Sequence, residues 1–143
     1  MALDQSLVGR TFPPTGTHTV TPASVARFAA ATGSVGPDAG RDLGAVPPTY
    51  PIVLAFEAMQ TFLDAVGVEL QRIVHGEQRF AYVRPLRVGD VLTAQLEVAS
   101  LRSIGPNVLV GTTSTVTDVD GQVVCRASAT LVHRAGDEHE EQP

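Results

Sequence analysis

A chain of 143 residues with 43% apolar content fits one domain with room for a real core. Its formal charge is −5, but four acids (Asp137, Glu138, Glu140, Glu141) follow Arg134, so the body sets ten arginines against eleven carboxylates and offers no basic surplus for a nucleic-acid surface. No run approaches the roughly 18 apolar residues of a membrane span, the start M-A-L-D-Q-S has no signal-like stretch, and one cysteine cannot close an internal disulfide. A cytoplasmic protein with neither nucleic-acid nor membrane partners is expected.

The first sixteen residues, ending in F-P-P-T-G, predict an extended or irregular arm. Thr21-Pro22 predicts a helix start, with threonine as N-cap and proline at the first helical position; the helix runs to about Thr32 and stops at Gly33. Residues 33 to 48, rich in Gly, Pro and Asp, predict a loop with a short helical turn near Asp38 to Leu43. Pro51 to Val66 is the strongest local signal: Glu57, Gln60, Thr61 and Asp64 form one narrow polar stripe on a helix that is otherwise apolar or alanine. Such a helix must be wrapped by other structure.

Strands supply the wrapping. Ile73 to Val83 predicts one, closing at Arg84-Pro85. Leu92, Ala94, Leu96 and Val98 alternate with polar residues and predict a second. A turn at Gly105-Pro106-Asn107 leads into the β-branched run Val108 to Val119, and Asp120-Gly121 is a hairpin signal. Val123, Cys125, Ala127, Ala129 and Leu131 then alternate with Val124, Arg126, Ser128 and Thr130. Long antiparallel strands with one apolar face curl around an apolar object, and the helix at about 51–66 is that object. The expected class is α+β: a single hot-dog fold, a curved antiparallel sheet wrapped around a central helix. The domain is expected over residues 1–134, with an acidic disordered tail at 135–143. One curved sheet covers one side of the helix and leaves an edge strand open, so an obligate dimer half is expected.

Residues Phe28 to Ala39 read F-A-A-A-T-G-S-V-G-P-D-A. The run resembles the A-T-G-D-x-N-P-x-H motif of the MaoC-like (R)-specific enoyl hydratases and (3R)-hydroxyacyl dehydratases. Thr32, Gly33 and Pro37 match it, while Ser34 falls at the catalytic aspartate, Gly36 at the asparagine and Ala39 at the catalytic histidine. L-V-G-R at 7–10, A-V-P-P-T-Y-P at 45–51 and V-H-G-E-Q-R-F-A-Y-V-R-P-L-R-V-G-D at 74–90 extend the likeness over nearly the whole chain. Together they resemble the non-catalytic A subunits of heteromeric (3R)-hydroxyacyl-ACP dehydratases, of the FAS1-like, MaoC N-terminal type. The resemblance implies a chain that supplies a wall of the acyl tunnel and stability. A MaoC-like partner holds the Asp and His that move water on and off a double bond beside a thioester. It implies a heterodimer or heterotetramer, or a homodimer in isolation. The acyl thioester arrives on CoA or acyl carrier protein, and no metal or redox cofactor is needed.

The remaining candidates divide by chemistry. The lead into the central helix carries Pro47, Pro48 and Pro51, none with an N–H, where a thioester oxygen would need donors; proline also simply starts helices well. Tyr50, Ile52, Val53, Phe56 and Met59 are expected to touch a fatty acyl chain, or to be core. His75 and Glu77 sit two apart, so on a regular strand they share a face. They are a substitute acid–base pair, or else a hydrogen-bonded histidine and a glutamate paired with Arg79 or Arg84. Arg84, Arg87 and Arg102 could meet carrier phosphates or form a solvated face. Cys125, on the apolar face of its strand, is expected to be inert. His18 and His133 have no partner at a recognisable spacing, His139 belongs to the tail, and no metal constellation is present. Two rival readings stay open. One is a self-sufficient hot-dog hydratase or acyl-CoA thioesterase using His75, Glu77 or Asp42. The other is a non-enzymatic module binding an acyl chain or a protein.

Overall fold

The computed structural model describes residues 3–33 and 46–134. Ser34, Ala39, Asp42, the turn expected near 38–43, His139 and the tail at 135–143 lie outside the described residues. Two helices, α1 (Pro22–Ala31) and α2 (Ile52–Val66), accompany five strands: β1 (His18–Thr19), β2 (Ile73–Tyr82), β3 (Val91–Ile104), β4 (Asn107–Thr117) and β5 (Val123–Arg134). The strands form one antiparallel sheet in the order β1-β3-β4-β5-β2. The sheet curls around α2, which is the hot-dog arrangement.

Local chemistry sets the helix ends. The Thr21 hydroxyl accepts from Ser24 N–H and the Ser24 hydroxyl accepts from Thr21 N–H, both at 3.0 Å, a reciprocal cap with Pro22 just inside it. Gly67 closes α2 in the left-handed region at φ 73°, where a side chain would clash. β3 and β4 meet in a tight turn with Gly105 at φ 59°.

Leu54, Ala55, Ala58, Met59, Phe62, Leu63 and Val66 of α2 are buried against Leu92, Ala94, Leu96 and Val98 of β3, Val110 and Val116 of β4, and Cys125 and Leu131 of β5. Phe62 meets Phe12 edge to face, ring centroids 4.8 Å apart. The opposite side of α2 is uncovered: Phe56 is 46% and Val53 38% exposed.

Three bulges shift the strand periodicity. Ala99 is extra between Val98 and Ser100, so the buried series on β3 steps from Val98 to Leu101. Val124 is extra between Val123 and Cys125; it is fully buried while Val123 is half-buried, the reverse of the alternation expected. Gly76 is extra on β2. The N-terminal arm is more regular than expected. Gly9, Phe12 and Thr15 N–H groups donate to the Val98, Leu96 and Ala94 carbonyls at 2.8, 3.0 and 2.8 Å. The arm therefore covers the outer edge of β3, whereas β2 forms the other end of the sheet and its outer edge is open among the described residues.

Candidate functional site

The lead into α2 is the region where an acyl thioester would need backbone donors. From Tyr50 to Leu54 its N–H groups are already used. Tyr50 N–H donates to Pro47 O at 2.9 Å, Ile52 to Thr49 O at 3.1 Å, Val53 to Tyr50 O at 3.0 Å and Leu54 to Pro51 O at 3.1 Å. Pro47, Pro48 and Pro51 have no N–H to offer. Pro51 itself is the N-cap residue and makes no side-chain cap bond.

Beside this lead-in lies a cavity of about 370 Å3, within the usual range for small-ligand sites, lined by Val46, Pro48, Tyr82, Val83, Arg84, Pro85 and Leu86. Its walls are mainly apolar. The Tyr82 hydroxyl donates to the Pro48 carbonyl, tying β2 to the lead-in. Arg84 is held by both Asp90 oxygens at 2.9 and 3.2 Å, with Asp118 at 4.0 Å. Those hydrogen bonds and charges raise the guanidinium's pKa further. Burial works against Asp90 ionising, but Arg84, the Arg87 N–H and both arginine charges outweigh it and hold the carboxyl below its usual range. Arg84 is thus a structural cation of the cavity wall. Arg87, next to Leu86, is exposed, as is Arg102.

The five residues expected to touch an acyl chain do not converge. Val53 and Phe56 lie on the uncovered side of α2, and Ile52 is half-buried. Met59 is buried against the sheet and faces a small cavity there. Tyr50 is 1% exposed and spends its hydroxyl on His18 Nε2 at 2.7 Å and Ser24 Oγ at 2.8 Å, with Phe28 edge-on at 5.4 Å. His18 therefore has a partner that no sequence spacing revealed, because the two residues lie 32 apart.

His75 and Glu77 are not together. His75 pairs with Leu131 and Glu77 with Thr130, adjacent residues that face opposite ways, so the Gly76 bulge turns the two side chains to opposite faces. The shared face expected from strand parity is overturned. His75 Nε2 meets Gln78 Oε1 at 2.9 Å on the helix side, and Glu77 pairs with Arg79 at 2.8 Å in solvent. Cys125 is fully buried, and burial pushes its thiol up to about 11, which suits an inert role. Among the described residues no group of His, Cys, Asp and Glu could hold a metal. No described helix is long and apolar enough to cross a membrane.

A curled sheet around one helix, with an apolar cavity at the helix lead-in, defines a hot-dog domain of the dehydratase and hydratase kind. The FAS1-like, dehydratase domain region family model matches residues 6–127 of the chain, and the chain belongs to that family. UPF0336 proteins of Streptomyces griseus and Streptomyces avermitilis are 38% and 39% identical to it, each over 96% of this chain and 99% of theirs. Among solved structures, the C-terminally truncated HadBC (3R-hydroxyacyl-ACP dehydratase) complex of Mycobacterium tuberculosis has a chain 27% identical, with a TM-score of 0.75, over 91% of this chain and 99% of that one. A MaoC-like dehydratase is 25% identical with a TM-score of 0.78; 94% of this chain covers 44% of that longer one.

Proposed function

We propose that this chain is the acyl-chain-binding, stabilising subunit of a heteromeric (3R)-hydroxyacyl-ACP or -CoA dehydratase, with the catalytic Asp and His on a MaoC-like partner chain. One observation carries most weight: the α2 lead-in has no free N–H at residues 50 to 54 to polarise a thioester carbonyl. The sequence adds that Ser34 and Ala39 stand where the hydratase motif has its acid and base. His75 and Glu77 cannot replace them from opposite faces of the sheet.

In this reading the partner's carboxylate and imidazole move the proton and the hydroxyl of a 3-hydroxyacyl thioester, giving water and the trans-2-enoyl thioester. No redox or metal cofactor takes part. This chain contributes surface. The uncovered Val53 and Phe56 and the open β2 edge suit a second hot-dog domain, and the Tyr82–Leu86 cavity suits the acyl chain or its pantetheine arm. Exposed Arg87 is better placed than ion-paired Arg84 to meet a carrier phosphate.

The test is hydration of crotonyl and longer enoyl thioesters by the purified chain alone, by a co-expressed MaoC-like partner, and by the pair. The expected outcome is no turnover by this chain alone and full activity by the pair, lost when the partner's aspartate becomes asparagine. Turnover by this chain alone that disappears in His75→Ala would sink the proposal.

A further inference from the structure

A second, smaller cavity lies between the underside of α2 and the middle of the sheet, walled by Ala55 and Met59 of the helix and by Leu96, Ala127 and Ala129 of the strands. Its water-accessible volume is about 10 Å3, room for a single water. It exists because small side chains meet there: Ser114 pairs with Leu96 on one side and Ala127 on the other, and Thr112 with Val98 and Ala129. Val110 and Val116 flank the two on the same face of β4, so a pair of hydroxyls interrupts an otherwise apolar row.

Thr112 is 4% and Ser114 2% exposed and both line the cavity; among the described residues neither side chain hydrogen-bonds to protein, although both oxygens keep contact with water-sized space. Burying an unpaired hydroxyl is unfavourable, and a valine and an alanine of nearly the same shape would carry no such penalty. The cavity supplies what they lack: space for one oxygen. Its exposed lining residue is His75, whose ring is hydrogen-bonded to Gln78 across that side. Both belong to β2, the strand with the open edge, so this wall of the cavity lies on the side where a second domain would pair.

We propose that this cavity receives an oxygen carried at or near the far end of an acyl chain, a hydroxyl or carbonyl that enters past His75 and Gln78 and bonds to Thr112 and Ser114. The inference rests on the reading of this chain as an acyl-binding subunit and names the substrate class: acyl thioesters oxygenated a second time, far from the reacting carbons. In the free protein the space admits one water. A ligand oxygen replaces that water bond for bond, a carbonyl accepting from both hydroxyls, or a hydroxyl accepting from one and donating to the other. A methyl terminus displaces the water and leaves both hydroxyls unpaired. Size restricts what enters to the oxygen itself, with the carbon that bears it at the cavity wall.

Calorimetric titration of the full chain with decanoyl-CoA and with 10-hydroxydecanoyl-CoA tests this. The oxygenated thioester should bind about tenfold more tightly, and the preference should fall to within about twofold in the Thr112→Val/Ser114→Ala protein, whose fold is checked by circular dichroism. If the double variant does not fold, Thr112→Val alone should still lose most of the preference. Equal binding of the two thioesters, or a preference that survives the substitutions, overturns this inference and leaves the acyl-binding role standing. Failure of both thioesters to bind overturns this inference and the acyl-binding role together.

Discussion

His75 and Glu77 stand two positions apart on β2 yet face opposite sides of the sheet, because Gly76 bulges out between them. The bulge separates a cavity-lining imidazole from a solvent-exposed carboxylate. A Cβ at Gly76 would meet Thr130 O at 3.4 Å and Val132 Cγ2 at 3.7 Å, close to ordinary contact. Gly76→Ala should therefore change stability by under about 1 kcal/mol. Deleting Gly76 removes the extra residue and keeps the present facing of His75 and Glu77, whereas inserting a further residue beside it inverts one side of the strand relative to the other and should cost about 2–4 kcal/mol. Thermal unfolding of the substitution and insertion variants distinguishes them; equal tolerance would show that the facing of the β2 side chains does not hold the strand.

Tyr50 joins three segments through one hydroxyl. Tyr50→Phe keeps the ring against Phe28 but removes the bonds to His18 and Ser24. Ser24 retains its reciprocal cap with Thr21, so the principal loss falls on His18. A cost of about 1–3 kcal/mol is expected, or a fall in Tm of roughly 3–5 °C per kcal/mol for a domain of this size. An unchanged Tm would remove the network from any account of stability.

Acid should loosen the wall of the larger cavity. The Asp90 carboxyl is held below its ordinary value in the folded chain. Its contribution is therefore complete above the unfolded pKa near 4 and is lost as pH falls through the folded value. Asp90→Asn should cost about 1–2 kcal/mol at neutral pH and give a flatter loss of stability below about pH 4. Denaturant midpoints measured from pH 3 to 7 check both; parallel curves for the two proteins would contradict the linkage.

Alkali should act through Cys125 and Tyr82, cross-strand neighbours on β5 and β2. Burial raises the thiol to about 11 and, with the nearby Cys125, the phenol to about 12. Both groups fold more readily protonated, so their contribution is intact below about pH 9 and declines as pH rises towards 11 or 12. Cys125→Ala should reduce that alkaline loss, and iodoacetamide at pH 8 should label Cys125 only after denaturation. Rapid labelling of the native protein would contradict a buried, neutral thiol.

The sequence determined by itself whatever local chemistry controls. Thr21-Pro22 marked the α1 start, the stripe from Glu57 to Asp64 marked the one polar side of α2, and turn residues at Gly105 and Asp120-Gly121 marked the strand ends. The long strands and the apolar rod together implied the wrapped architecture. Tertiary structure alone decided the rest, because it depends on pairing between distant residues. One extra residue at Gly76, Ala99 or Val124 reverses which side chains face the helix, and only the partner strand reveals that it is extra. The His18–Tyr50–Ser24 network spans separations of 26 and 32 residues. Neither cavity is contiguous in sequence: Thr112 and Ser114 read as ordinary alternating strand residues until the fold brings Ala55, Ala127 and Ala129 around them as walls of one small cavity.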